Sequence, residues 1–195
     1  AKRLDGGSPY HIYSALFTFE FVRSLAQEIA EHHIGEKVSI GIITPYRAEG
    51  ELINNLLSSS ELPPNISTQV GTVHGFQGDE SDIILAVLNP PPSIKKSKSE
   101  THLNNLNILN VAISRARDYL FVVMPDDQTA DIDLLRHVKR IEKLLKSTGD
   151  CNEISCGELE ELMFGSNKFI ETNAFSTAHQ NVNIYGAASQ RYEGV

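Results

Sequence analysis

Three short runs of aliphatic and β-branched residues, apolar on both faces, constrain this chain more than anything else in it. They are Val38–Thr44 (Val-Ser-Ile-Gly-Ile-Ile-Thr), Ile83–Leu88 (Ile-Ile-Leu-Ala-Val-Leu) and Tyr119–Met124 (Tyr-Leu-Phe-Val-Val-Met). A strand that offers water neither face must be covered from above and below, the situation of a parallel sheet between helices. Helical spacing appears between these runs. Leu16, Phe19, Phe21, Val22, Leu25, Ile29 and Ala30 predict an amphipathic helix over 13–33, with Gly35 as its stop. Leu52, Ile53, Leu56 and Leu57 predict a second over 46–58. Leu106, Leu109, Ala112 and Ile113 predict a third over 103–117, and 132–145 reads as a fourth, its Lys and Arg biased toward the end that the helix dipole favours. A shorter strand is expected over 68–73. Alternating strands and helices of this kind make an α/β layered fold with a mostly parallel sheet. Such sheets bind ligands outside the carboxyl ends of their strands. The loops after Ile43, Val73 and Leu88 are therefore the first places to look, and the start of the helix carrying Arg115 is expected to approach the same edge, so that the three segments described below share it.

Length and composition set the scope. A chain of 195 residues holds one domain, or one domain with an appendage. Residues 1–150 read as the domain. Residues 151–195 read as an extension with a short helix near 158–164 and a candidate edge strand at 182–185. Its Phe164, Phe169, Phe175 and Tyr185 are expected to dock on the domain or on a preceding half. The first residue is Ala rather than Met, as in a piece cut from a longer protein, and the start lacks the apolar core of a signal peptide. No apolar run reaches the roughly 18 residues of a membrane helix, so no membrane partner is expected. Cys151 and Cys156 are too few for a disulfide scaffold and have no matching pair for zinc, which points to a reducing, cytoplasmic setting and no metal site. A net charge of −8 argues against strong nucleic-acid binding by this chain alone, because such binding rests on neutralising phosphates. Pro90–Pro92 opens a polar stretch with Lys95, Lys96 and Lys98, which reads as a surface loop.

Three segments carry chemistry-bearing residues. Ile43–Glu49 ends a strand in Thr44, Pro45 and Tyr46. Thr72–Asp82 (Thr-Val-His-Gly-Phe-Gln-Gly-Asp-Glu-Ser-Asp) brings backbone amides around Gly75 and Gly78 beside Gln77, Asp79 and Glu80. Leu109–Arg117 (Leu-Asn-Val-Ala-Ile-Ser-Arg-Ala-Arg) sets two arginines two apart before a buried strand. Singly, each reads equally well as a strand end, a turn or a solvated helix terminus.

In this order and spacing, the trio resembles the carboxyl-terminal motor domain of superfamily 1 helicases, in the group that contains the nonsense-mediated-decay helicase and its DNA-acting relatives. That family runs Ile-Thr-Pro-Tyr-x-x-Gln, then Thr-Val-Asp-x-Phe-Gln-Gly-x-Glu-x-Asp, then Leu-Asn-Val-Ala-Leu-Thr-Arg-Ala-Arg. The resemblance covers about residues 8–125. It implies a three-layer RecA-like (P-loop NTPase-like) domain, the second of two that close around ATP and its Mg²⁺. By the same resemblance Arg115 is the arginine finger, Glu80 holds the nucleotide sugar, Gln77 and Gly78 sense the nucleotide, and Arg117 belongs to the same ATP-binding set. Thr44, Pro45, Tyr46, Thr72 and His74 lie on segments that approach a single-stranded DNA or RNA backbone, where hydroxyls and amides hold phosphate without net positive charge. Two residues depart from the pattern. Glu49 stands in place of Gln, which weakens a polar contact role, and His74 stands in place of Asp. Arg117 also has a structural reading, pairing with Asp118 or Glu80.

No Gly-x-x-x-x-Gly-Lys-Ser/Thr occurs in the chain, so the phosphate-cradling loop and its Mg²⁺-anchoring hydroxyl are expected on an upstream RecA-like domain of the same polypeptide. This chain alone is then expected to be inactive. The rival reading is an interaction module that keeps the RecA-like fold without catalysis, and the set Gln77, Glu80 and Arg115 argues against it. A dehydrogenase is a poor fit, because no Gly-x-Gly-x-x-Gly follows the first strand.

Overall fold

The buried runs become the middle of a four-stranded, all-parallel sheet. The computed structural model describes residues 8, 10–33, 35–76, 79–89, 105–124, 136–149 and 152–165. In chain order its elements are α1 (Ile12–His32), β1 (Val38–Thr44), α2 (Arg47–Ser58), β2 (Ile66–Thr72), β3 (Ser81–Val87), α3 (Leu106–Ile113), β4 (Ala116–Val123), α4 (Arg136–Thr148) and α5 (Cys156–Phe164). The sheet order is β2-β1-β3-β4. Val38 pairs with Ile66, Thr44 with Thr72, Ile40 with Ile83 and Ser81 with Ala116. All four strands thus start along one edge and finish along the other.

Side chains alternate across this sheet, as the two-residue strand period requires. Ile40, Ile42, Ile83, Leu85 and Val87 face one layer, built from α1, α2 and the apolar side of α5. Ile43, Ile84, Ala86 and Leu88 face the other, built from Leu109 and Ala112 of α3 and Val138 and Ile141 of α4. Two covered faces give the three-layer α/β architecture that the strand sequences demand.

Two boundaries differ from the sequence expectation for a physical reason. The third helix does not run to Arg117. It ends at Ile113, and β4 begins at Ala116, three residues before the apolar run. The Ser81 amide donates to the Arg115 carbonyl at 3.1 Å, and Ser81 then pairs with Ala116. The chain joins β3 there while its side chains are still polar, because β4 is an edge of the described sheet. At the opposite edge β2 gains Ile66 and Ser67 by pairing with β1, and Ser67 and Gln69 point to solvent.

Among the described residues no helix links β2 to β3. The connection crosses over β1, and the Phe76 ring is buried where it passes. A Cβ on Gly41 would come within 2.9 Å of that ring, and one on Gly71 within 3.1 Å. The two glycines make the gap that the ring fills. On the other face α5 docks on α1. It opens with a capping box between Ser155 and Glu158 and closes at Gly165, whose φ of 69° is the left-handed region a side chain would resist. The Tyr13 hydroxyl donates to Glu160, and Tyr13, Phe17 and Phe21 stack along α1 at 6.2 Å spacings. The strand expected at 182–185 and the Lys95, Lys96 and Lys98 stretch lie outside the described residues.

Candidate functional site

At the carboxyl edge of the sheet, Thr44 and Thr72 end paired strands side by side. Their surroundings differ. Thr44 is buried, and its hydroxyl donates to the Tyr46 carbonyl at 2.7 Å, which shapes the turn into α2. Tyr46 is buried as well, and burial together with the neighbouring Glu49 pushes its phenol above the ordinary tyrosine range. Pro45 is half-buried between them, Thr72 is half-buried, and His74 is exposed. The Phe76 amide donates to the Thr72 carbonyl at 3.1 Å, which folds 73–76 into a turn that holds His74 outward. The amino end of α2 has no side-chain cap of its own. Ser8 accepts from the Ala48 amide at 3.1 Å instead.

Behind this edge lies a layer of polar groups. His11 Nδ1 and the Ser14 hydroxyl are 2.7 Å apart, and the Asn89 side-chain amide donates to Ser14 at 3.1 Å. Glu49 is fully buried, and among the described residues neither of its oxygens has a well-placed hydrogen-bond partner. Burial drives its carboxyl well above the usual range, opposed weakly by the His11 backbone N–H. Burial thus favours the protonated form of the acid. In that form it is a neutral donor–acceptor group, close in shape to the Gln expected at this position.

The amino edge gathers the second set. Arg115 occupies the turn between α3 and β4, tied to β3 by its carbonyl. Its Nε is buried and has no hydrogen-bond partner among the described residues. Arg117 bridges Glu80 at 3.5 Å and Asp82 at 3.4 Å. Asp82 is fixed in turn by the Ser39 amide at 2.8 Å and the Ser39 hydroxyl at 2.7 Å. These bonds, with Arg117 behind them, hold its carboxyl below the ordinary value. Gln69 donates to Asp79 at 3.0 Å, which anchors the end of the crossover. Gln77 and Gly78 lie outside the described residues.

One expectation is corrected here. The three motif segments do not share the carboxyl edge. Thr44, Pro45, Tyr46, Thr72 and His74 stand there, whereas Glu80, Arg115 and Arg117 stand at the amino edge, a strand's length of ~20 Å away. The crossover is the reason, since residues 73–80 begin at one edge and end at the other. The pairing read for Arg117 is made with Glu80 and extends to Asp82, not Asp118. Sequence reasoning also passed over Ser39 and Asp82, which steady this edge across 43 positions. No local pattern signals that pair, because its two members lie on different strands.

An arginine whose buried nitrogen has no partner among the described residues, on an edge that also carries a carboxylate acceptor and a second guanidinium, belongs to a set of groups that fits a nucleotide's phosphates and sugar. Among the described residues no group of three His, Cys, Asp or Glu is arranged to hold a metal ion, and no helix is long and apolar enough to cross a membrane.

Comparison with known proteins agrees with this architecture. Residues 7–127 match the model of a family described as an AAA domain. An uncharacterized ATP-dependent helicase, MJ0104 of Methanocaldococcus jannaschii, is 32% identical over 124 residues, 63% of this chain and 16% of that protein. The mouse 5'-3' DNA helicase ZGRF1 is 30% identical over 115 residues, 58% of this chain and 6% of that protein. The probable RNA helicase armi of Drosophila melanogaster is 31% identical over 87 residues, 43% of this chain and 7% of that protein. This chain thus spans a small part of each relative. With its RecA-like sheet and a family match over more than half its length, the chain belongs to the AAA domain family, and it is similar to part of several helicases.

Proposed function

We propose that this chain is the second, carboxyl-terminal motor domain of a superfamily 1 helicase of the group that includes the nonsense-mediated-decay helicase. On this reading residues 1–150 form the motor domain and 151–195 an extension. The chain supplies Arg115 as the arginine finger to an ATP site completed by an upstream, Walker-containing domain. The observation that carries the reading is the Arg115 guanidinium: its Nε is buried and has no partner among the described residues, at the edge where Glu80 and Arg117 also stand. Magnesium-bound ATP, held mainly by the upstream domain, supplies the phosphoryl group. Arg115 directs its planar donors at the charge that develops on the equatorial oxygens, and the Ser81 bond to its carbonyl fixes the backbone from which the side chain extends. Glu80 accepts from the nucleotide sugar, Arg117 holds Glu80 in place, and Gln77 and Gly78 report nucleotide state along the crossover. At the far edge Thr72 and His74 meet the backbone of single-stranded DNA or RNA. Thr44, Pro45 and Tyr46 shape the turn beneath them.

Two consequences are testable in the full-length protein that carries this chain. Arg115→Ala lowers ATP turnover, measured with single-stranded DNA and RNA, by about 10³-fold or more while nucleotide still binds. Unchanged turnover sinks the finger assignment. No turnover in the wild type with either polymer shifts the weight to a non-catalytic interaction module. The purified chain alone, lacking the phosphate-cradling loop, shows no ATP turnover above buffer.

A further inference from the structure

Charge is distributed unevenly in this molecule. The chain carries 17 Lys and Arg against 25 Asp and Glu, yet α4 (Arg-His-Val-Lys-Arg-Ile-Glu-Lys-Leu-Leu-Lys-Ser-Thr) holds five of those cations and a single acid. No other described element comes near this concentration. Val138 and Ile141 are buried in the second core layer and Leu145 packs against it, so the apolar side of α4 faces the sheet and of its apolar residues Leu144 stays exposed. Arg136, Arg140, Lys143 and Ser147 recur at four- and three-residue spacing along the exposed side, with Lys139 and Lys146 on its flanks. Lys146 is matched by Glu142 at 2.7 Å and Glu153 at 2.9 Å. Among the described residues Arg140 and Lys143 have no acidic partner.

We propose that the exposed Arg136–Arg140–Lys143 stripe of α4 is a phosphate-binding face that engages the backbone of single-stranded nucleic acid. The proposal rests on the nucleic-acid reading above and adds to it a surface outside the three motifs. The stripe runs ~10 Å along the helix axis, and its charges stand out from a surface that is otherwise acidic. A polyanion is the partner that such a stripe selects, and a folded neutral protein has no use for it. A membrane surface is disfavoured by the packing, because a helix lying in a bilayer needs its apolar side. That side of α4 faces the sheet. The stripe also answers the charge problem posed by the sequence. A net charge of −8 opposes binding by the molecule as a whole, whereas a locally positive helix supplies the phosphate neutralisation that the hydroxyls and amides of the carboxyl edge do not.

The test is fluorescence anisotropy of the whole chain with labelled 20-nucleotide oligo(dT) and oligo(U), titrated from about 50 to 200 mM salt. Arg140→Gln combined with Lys143→Gln lowers affinity roughly tenfold or more at the low end. It also reduces the slope of log affinity against log salt by about 1.4, two contacts at ~0.7 each for a single strand. Arg140→Lys leaves the slope near its wild-type value. Both residues are exposed, so thermal melts of the variants match the wild type. Unchanged affinity and slope in the double variant, with binding by the wild type, overturn this proposal and leave the carboxyl-edge reading standing. The converse, loss in the double variant but none in Thr72→Ala, supports the helix face and overturns the edge. Absence of wild-type binding at 50 mM salt overturns the helix face and leaves the carboxyl-edge reading to the full-length protein.

Discussion

Glu49 is fully buried in the first turn of α2, and that burial favours its protonated form. The sign of the linkage follows from the direction of its shift. An acid whose folded pKa lies above its ordinary value of 4.5 binds more protons folded than unfolded. Its contribution is complete below that ordinary value and is lost as pH rises toward the folded pKa. Glu49→Gln removes this dependence and keeps the shape. The variant is expected to match the wild type near pH 4.5, then to gain on it by about 1.4 kcal/mol per pH unit until the folded pKa is passed. Urea denaturation at several pH values reads this directly, and a gap that does not change with pH means the carboxylate is ionised in the fold. Asp82 behaves in the opposite sense. Its carboxyl is held low by the Ser39 hydroxyl and amide, so its contribution is present above its ordinary pKa of 3.8 and fades as pH falls through the lower folded value. Asp82→Asn is expected to cost about 2 kcal/mol at pH 7, the worth of hydrogen bonds to a charged group, and progressively less in acid.

The β2–β3 crossover is the element on which the geometry turns, and Phe76 is its anchor. Gly41→Ala would place a methyl 2.9 Å from the Phe76 ring and 2.5 Å from Ile84 Cδ1, an overpacked contact expected to cost about 1–3 kcal/mol. Phe76→Ala empties the same space at about 3–5 kcal/mol. Combining them recovers part of the Gly41→Ala cost, since one of three close contacts is gone and those with Ile84 Cδ1 and the Ser81 hydroxyl remain. A double-mutant cycle by chemical denaturation measures that coupling, and strict additivity would mean that the ring and the glycine do not share the gap. The same crossover explains what the sequence could and could not disclose. Val38–Thr44 is legible to the residue, because a strand buried on both faces must be apolar on both faces. Arg117 and Asp118 could not be read as strand, since an edge strand begins wherever its neighbour's register lets it. The motif residues were visible from their order and spacing. Their division between two edges was not, because it depends on strand register and on a connection that crosses β1 without a helix. Ser39 with Asp82 and Gly41 with Phe76 are contacts between segments far apart in the chain, which no local pattern encodes.

At the scale of the molecule, rigid parallel strands separate two chemistries by ~20 Å. On the proposed function, Arg115, Glu80 and Arg117 serve the nucleotide at the amino edge, and Thr72 and His74 serve the nucleic acid at the other. Edges so far apart do not touch the same ligand, so their variants should fail in different ways. In the full-length protein, Arg115→Lys lowers the limiting rate of ATP turnover, because an ammonium lacks the planar fork, and leaves unchanged the polymer concentration that gives half of the stimulation. Thr72→Ala with His74→Ala does the reverse: more polymer is needed for half-stimulation, and the limiting rate stays within a few-fold of wild type. Steady-state turnover against polymer concentration at saturating ATP separates the two parameters. The sheet carries the connection between the edges, since residues 73–80 leave one and arrive at the other with Phe76 pinned in the core between them. Loosening that pin should therefore impair what neither edge set impairs alone. Phe76→Leu, which keeps an apolar side chain in the gap, is expected to leave nucleotide binding and polymer binding measurable while lowering the degree to which polymer stimulates turnover. Full stimulation in that variant would mean that the edges communicate through the upstream domain instead of through this crossover.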